Sequence, residues 1–154
     1  MPVVEEIPDD DRVSRHLYRP SMGSATSDLR WDNVFMFEAS YGRRESLVWS
    51  RYAATLTAVH FLGCEKQRAD RAKDKPTTYL GALSSSVGAI RRLKSKNGAR
   101  FEIVHAPNEG MHHVEMTFAA APAPNKNDRS ELKVLLREVF GGADEHVCPD
   151  EQAA

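Results

Sequence analysis

Short alternating runs of hydrophobic and polar residues predict strands at several places along the chain. The alternation over residues 13–18 favours one strand, and the arginines that accompany it, Arg12, Arg15 and Arg19, are typical of a charged edge strand. The run VFMFEA at residues 34–39 is short, aromatic and apolar, which are features of strands. The stretch 79–83 has the same character.

A change of period marks the helices. Apolar residues recur at three- and four-residue steps from Trp49 onward, which predicts an amphipathic helix over about residues 48–71. A last helix begins at Asp128, because this residue can act as N-cap with Glu131 completing a capping box. Its predicted apolar stripe consists of Leu132, Leu135, Leu136, Val139 and Phe140.

Two alternatives stay open for residues 84–96. The run of serines can cap a helix that brings Val87, Ile90 and Leu93 together, or residues 87–93 can form a strand. The pattern alone does not separate them.

The irregular order of strands and helices defines the expected fold. Strands at 100–105 and 112–118 are separated by a short connection with Pro and Gly, so they predict a hairpin. We therefore expect an α+β fold, with an antiparallel or mixed sheet and two or three helices packed on one face. Residues 1–12 are expected to form an acidic arm, 13–142 a single domain and 143–154 a polar tail.

Composition limits the class of protein. The 154 residues suit one domain, and 41% hydrophobic with 28% charged residues is typical of globular proteins. No apolar run approaches the roughly 20 residues of a membrane span, and the acidic start lacks the features of a secretory signal. Cys64 is expected in the core and Cys148 in an exposed tail, so no disulfide is predicted and a reducing, cytoplasmic setting is favoured.

The hairpin register follows from matching apolar faces. If Ile103 faces Val114, one face carries mainly core residues and includes His105, which would lie opposite His112. The other face then carries Glu102, His113 and Glu115, with Glu102 directly across from Glu115.

This polar face of the hairpin is the candidate metal or catalytic site. One histidine with two carboxylates resembles the ligand sets of Mn, Fe or Zn. A divalent metal held by Glu102, His113 and Glu115, with His105 as a base, would support a hydrolase or nuclease. The alternative is a solvated hairpin face with a tolerated pair of glutamates, and His105 as a partly buried hydrogen-bonding residue.

A basic segment is the candidate binding surface. Ten of the chain's 21 Lys and Arg residues lie between positions 66 and 100. The densest part, within residues 84–100, comprises Arg91, Arg92, Lys94, Lys96 and Arg100. It can bind an anion, a protein partner or nucleic acid, or can be neutralised by the chain's own acidic ends. Aromatic residues for base stacking are scarce there.

Four short segments resemble a known family. They are DRVSR at 11–15, Pro20, ESLVW at 45–49 and HVEM at 113–116, which together span roughly residues 9–118. Their order is similar to the landmarks of a family of small uncharacterised bacterial proteins, although Leu-Val-Trp stands where an additional Ser is expected. The resemblance implies a bacterial cytosolic setting and a role for His113 and Glu115, and it brings no activity.

The sequence therefore favours a non-enzymatic module that binds a protein partner within a multi-component system. Nucleotide-binding loops, the serine-hydrolase elbow and zinc-protease or CxxC motifs are absent from the sequence. The metal-assisted hydrolase and the nucleic-acid-binding accessory protein are the alternatives.

Overall fold

The computed structural model describes residues 3–36 and 44–152. The strands are β1 (Arg12–Arg19), β2 (Gly23–Ala25), β3 (Asp28–Leu29), β4 (Glu45–Trp49), β5 (Thr78–Ser86), β6 (Phe101–His105), β7 (His113–Phe118) and β8 (Asp144–Glu145). The helices are α1 (Trp31–Val34), α2 (Leu56–Arg71), α3 (Val87–Arg91), α4 (Lys126–Phe140) and α5 (Pro149–Gln152), with a 3-10 turn at Pro107–Glu109.

Six strands form one antiparallel sheet in the order β6-β7-β4-β1-β5-β8. The α+β class with an antiparallel sheet is thereby confirmed. β1 lies in the middle of this sheet, so the expectation of a charged edge strand is wrong. Val13 and Leu17 on one side and Tyr18 on the other are all buried, which is why this strand is interior.

The two long helices cover opposite faces of the sheet. α4 packs through Leu132, Leu136 and Phe140 into the same core as Val13 and Leu17. α2 covers the other face, where its backbone at Val59 receives a hydrogen bond from His16 and its Cys64 packs with Tyr18 and Tyr79. Val13 and Leu17 point to one face and Tyr18 to the other, and both faces are covered: α3 and α4 pack on the first and α2 on the second.

The first long helix begins later than its pattern predicts. Leu47 and Trp49 belong to β4, where Trp49 pairs with Val13 and is fully buried. α2 begins at Leu56, capped by the Thr55 side chain. A short apolar run such as Leu47–Trp49 is compatible with either a helix or a strand. The burial of Trp49 against Val13 places it in a strand.

The predicted strand at 34–39 is also not observed where the structure describes it. Val34 ends the short helix α1, and residues 35 and 36 belong to no strand. Residues 37–39 lie outside the described ranges.

For residues 84–96 the helix alternative is confirmed over Val87–Arg91, and the alternative of a strand over 87–93 is wrong. Residues 84–86 complete β5, and the Ser86 hydroxyl then caps the short helix α3. The predicted apolar stripe of α4 is confirmed. The N-cap lies three residues earlier than predicted: it is Asn125, and Asp128 is the N3 residue of the capping box.

The expected acidic arm and polar tail are packed against the domain. Ile7 is buried in the core, and the Asp11 carboxylate accepts a hydrogen bond of 2.7 Å from the Trp49 indole. In the tail, β8 pairs with β5, and Cys148 forms a disulfide with Cys64. The expectation of two separate cysteines, with Cys148 exposed, is therefore wrong, because β8 carries Cys148 onto α2.

None of the helices in the described ranges combines the length and apolarity that crossing a membrane requires.

The contact between α2 and β5 is closest at Gly63. A Cβ at this position would lie 2.4 Å from the Tyr79 ring. We expect Gly63→Ala to lower the free energy of unfolding by about 1–3 kcal/mol, although the same change in an open helix would raise it. Urea unfolding measures the change, with Gly142→Ala as control, since an added Cβ there meets nothing within 4 Å. Equal or greater stability of Gly63→Ala would contradict this packing.

Candidate functional site

A cleft of about 670 Å³ opens between α2 and the sheet. α2 lies over β1 and β5 and also contacts Val48 of β4, and the cleft opens beside it over Ser46 of β4 and His113 of β7. Ser46 and Val48 of β4 and His113 of β7 form the floor of the cleft, and Leu62 and Lys66 of α2 form one wall. Concave sites of this size are where ligands usually bind.

Three histidines line the cleft: His16, His112 and His113. The His16 Nε2–H donates to the Val59 carbonyl at 2.8 Å, and burial lowers the pKa of this imidazole to about 4. Burial, with the charge of His113 beside it, also lowers the pKa of His112. His16 and His112 are therefore mainly neutral near pH 7, and the fixed positive charge at the cleft is supplied by Arg15 and Lys66.

His113 is held in one orientation. Its Nδ1–H donates to the Ala106 carbonyl at 2.9 Å, which leaves Nε2 as the acceptor of the neutral ring. The Ser46 hydroxyl lies 3.1 Å from this Nε2, and the exposed Glu109 carboxylate lies 3.2 Å from it. A catalytic serine–histidine pair needs a hydroxyl, an imidazole nitrogen that can accept its proton and a group that orients the imidazole. Ser46, His113 and the Ala106 carbonyl could fill these roles.

An apolar hollow of about 430 Å³ continues the cleft at the start of α2. Tyr52, Ala58 and Phe61 line it, and it shares Leu62 and His112 with the cleft. The Phe61 side chain is 58% exposed, and Tyr52 is 40% exposed. Side chains of this size are exposed together mainly where a partner or ligand covers them.

The hairpin register that supported the metal hypothesis is wrong by two residues. Ile103 pairs with Met116, so Glu102 lies opposite Thr117 and Glu115 lies opposite Val104. Because the shift is even, Glu102, His113 and Glu115 still share one face, but the direct pair of glutamates is lost. Ile103 and Val114 keep their predicted core face, but His112, which was expected opposite His105, precedes β7 and lines the cleft, and His105 pairs with Val114 instead.

The three proposed metal ligands are not gathered. Across the described ranges, their donor atoms do not form a group close enough to hold an ion. Glu115 instead lies 3.6 Å from the Arg44 guanidinium, and both His113 nitrogens have partners. The connection between β6 and β7 includes a 3-10 turn, and its geometry helps to fix the register of the two strands. The alternation of apolar and polar residues does not encode that geometry.

His105, the predicted base, lies on the other face of the sheet, in the core. Its Nδ1 accepts from the Glu5 backbone at 3.0 Å, and its Nε2 donates to the Met111 carbonyl at 2.9 Å. It is 5% exposed and lies against the Trp49 ring. The alternative interpretation of His105, a buried hydrogen-bonding residue, is the one that the structure has.

The basic segment divides into two parts. Arg91 pairs with Asp9 at 2.8 Å, so an acidic end of the chain does neutralise part of the segment. The remaining side chains are exposed on the α4 side of the sheet, away from the cleft: Arg92, Lys94, Lys96 and Arg100. Anion or partner binding there stays a prediction.

Sequence reasoning missed Ser46, His16 and Glu109. Ser46 stands just before the helix predicted over 48–71, and the next three residues, Leu47, Val48 and Trp49, are all apolar and buried, so no alternation marked Ser46 as part of a strand. The cleft itself depends on how far α2 extends over the sheet, which no local pattern encodes.

The lowered pKa of His16 predicts a loss of stability in acid. The unfolded chain binds this proton near pH 6.5 and the folded chain only near pH 4, so the contribution is full above pH 6.5 and is lost as the pH falls toward 4. Between pH 7.5 and 5, His16 should cost about 2 kcal/mol of unfolding free energy. His16→Gln, which can still donate to Val59, should lose that much less over this range in urea unfolding. If the free energy of unfolding falls equally with pH in the wild type and in His16→Gln, this role of His16 is contradicted.

Comparison of the chain with protein-family models, with curated proteins and with solved structures finds no match in any of the three. The resemblance to small bacterial proteins stays a prediction, and the site must be interpreted from its own geometry.

Proposed function

We propose that this protein is a non-enzymatic accessory module that binds an extended segment of a protein partner in the cleft and hollow beside α2. The observation that carries the proposal is the continuity of the two concavities: an exposed aromatic hollow at Phe61 opens directly into a polar cleft floored by β4 and β7. A peptide with one bulky apolar residue and polar neighbours has complementary chemistry.

The polar groups of the cleft suit a peptide backbone. Neutral His112 can donate or accept a hydrogen bond, Ser46 can do both, and Lys66 and Glu65 place opposite charges on the same wall. A site with balanced charge favours a neutral or mixed-charge segment over a polyanion. This preference separates the proposal from nucleic-acid binding, for which the exposed cations lie on the other side of the sheet.

A bacterial, cytoplasmic setting is part of this proposal. In that setting the environment would hold Cys64 and Cys148 as thiols.

Selection from a random peptide library tests the site. We expect the wild-type chain to enrich peptides that share an apolar residue, and Phe61→Ser to weaken their binding at least about tenfold, as for the loss of an aromatic anchor. Val134→Ser is the matched control, since Val134 is 62% exposed on α4, on the opposite side of the sheet.

NMR chemical-shift changes then locate the peptides. Shifts at Phe61, His112 and Ser46 support the proposal. Absence of enrichment, equal loss in both variants, or shifts confined to Lys94, Lys96 and Arg100 would contradict it, and the last result would favour the basic surface.

A second candidate rests on Ser46 and His113. The 3.1 Å contact between the hydroxyl and Nε2, with Nδ1 fixed by a backbone carbonyl, is the arrangement that activates a serine nucleophile in acyl transfer.

A fluorophosphonate probe distinguishes this hydrolase from the binding module. If Ser46 is activated, the probe labels it in the wild-type chain, and labelling is lost in His113→Gln and in Ser46→Ala but retained in Ser84→Ala. Since Ser84 also lies on a strand of this face, paired with Ser14, it is a fair control. Absence of labelling at Ser46 in folded wild-type protein rules the hydrolase out and leaves the binding module untouched.

A further inference from the structure

A second group of chemically active side chains lies where the C-terminal tail meets α2. It consists of Cys64 on α2 with His146 and Cys148 on the tail, and one donor atom from each lies within 4.8 Å of the other two. Cys64 is 3% exposed and Cys148 is 1% exposed, so the two sulfurs are shielded, whereas His146 is half-buried and borders solvent. In the structure the two sulfurs are joined as a disulfide.

The tail presents two of these donors together. His146 and Cys148 are separated by one residue, a spacing that places both side chains on one side of an extended segment. The position of His146 is stabilised by α2, because its ring stacks on His60 of α2 with centroids 4.4 Å apart. His60 in turn is fixed by the Tyr79 hydroxyl at 2.7 Å and by Asp144 at 2.6 Å.

We propose that, once the Cys64–Cys148 bond is reduced, this cluster binds one Zn²⁺ through the two thiolates and the His146 imidazole. Two cysteine sulfurs and one histidine nitrogen are ligands that zinc binds in many proteins, so zinc is the metal expected at this cluster. Zinc bonds of about 2.3 Å to sulfur and 2.0–2.1 Å to nitrogen place the donors roughly 3.5–3.8 Å apart. The His146 donor lies within 4.8 Å of both sulfurs, and the two sulfurs, which are bonded to each other in the disulfide, separate to the zinc spacing once they are reduced. The fourth position is left to water.

The chemistry requires a reductant, and a dithiol supplies it. Its two thiols deliver two electrons and two protons to the Cys64–Cys148 bond, which gives two cysteine thiols, and the dithiol becomes a disulfide. Zinc then binds the two thiolates, and their two protons pass to solvent. No further oxidant or co-reactant takes part.

The site has a structural consequence for the tail. When the disulfide opens, the covalent link between the tail and α2 is lost, and β8 makes only two residue pairs with β5. Zinc bound by Cys64 from α2 and by His146 and Cys148 from the tail restores a link between the same two parts. In a reducing compartment the metal therefore takes the role that the disulfide has in an oxidising one.

Zinc titration of the full chain tests the proposal. The protein is reduced with a dithiol, freed of it without air, and titrated with Zn²⁺ against a chromogenic chelator. We expect one Zn²⁺ per reduced chain and none per oxidised chain. His146→Phe keeps a ring stacked on His60 but removes the nitrogen donors, and it should weaken zinc binding at least about tenfold. His112→Phe removes an imidazole that is not part of the cluster, and this variant should bind zinc as the wild type does.

Alkylation of the wild-type chain provides a test that needs no variant. One equivalent of Zn²⁺ should slow the modification of both Cys64 and Cys148 in the reduced protein, as followed by mass spectrometry. Failure of zinc to bind the reduced chain, unprotected thiols in the presence of zinc, or equal affinity in His146→Phe and His112→Phe would each overturn the proposal.

Discussion

The ion pair between Arg15 and Glu45 joins the centre of the sheet to the segment that packs beneath it. The two side chains are 3.1 Å apart, and Glu45 is 2% exposed. The same guanidinium donates to the Val34 carbonyl at 3.0 Å and to the Ser46 carbonyl at 2.9 Å. Loss of one partner from such a buried pair usually costs about 3–5 kcal/mol, because the other charge is left without compensation. β1, β4 and the end of α1 thus share one electrostatic centre, and the position of Ser46 in the cleft depends on it.

The cleft follows from an imbalance between the two faces of the sheet. On the α4 face, apolar side chains from all five longer strands of the sheet meet one continuous core. On the other face, α2 covers β1 and β5 and contacts Val48 of β4, but it leaves Ser46 exposed and a cleft open beside it over β4 and β7. The exposed Phe61 then lies at the margin of a surface that the protein's own helices do not cover. Binding capacity here arises from incomplete coverage of a sheet and needs no dedicated loop.

Local patterns predicted the elements well and their assembly less well. The apolar stripe of α4 and the faces of the hairpin were predictable, because periodicity records which side of an element is buried. The two-residue register error left those faces intact but separated Glu102 from Glu115. Trp49 was assigned to a helix, since its burial against Val13 is a long-range contact with no local signature. The partnership of Cys64 with Cys148 spans 84 residues, and it too was beyond any local pattern.

The short strand β8 also shields an otherwise free edge. β5 is a nine-residue strand, and among the described residues the tail pairs with its outer side at Gly81 and Ala82 and donates one further hydrogen bond to the Leu80 carbonyl. Unprotected edges pair readily with strands of other molecules. A tail released from α2 would therefore turn a monomer surface into a template for chain-to-chain strand pairing. Whether Cys64 and Cys148 are linked or free therefore affects the tendency of this protein to aggregate at high concentration.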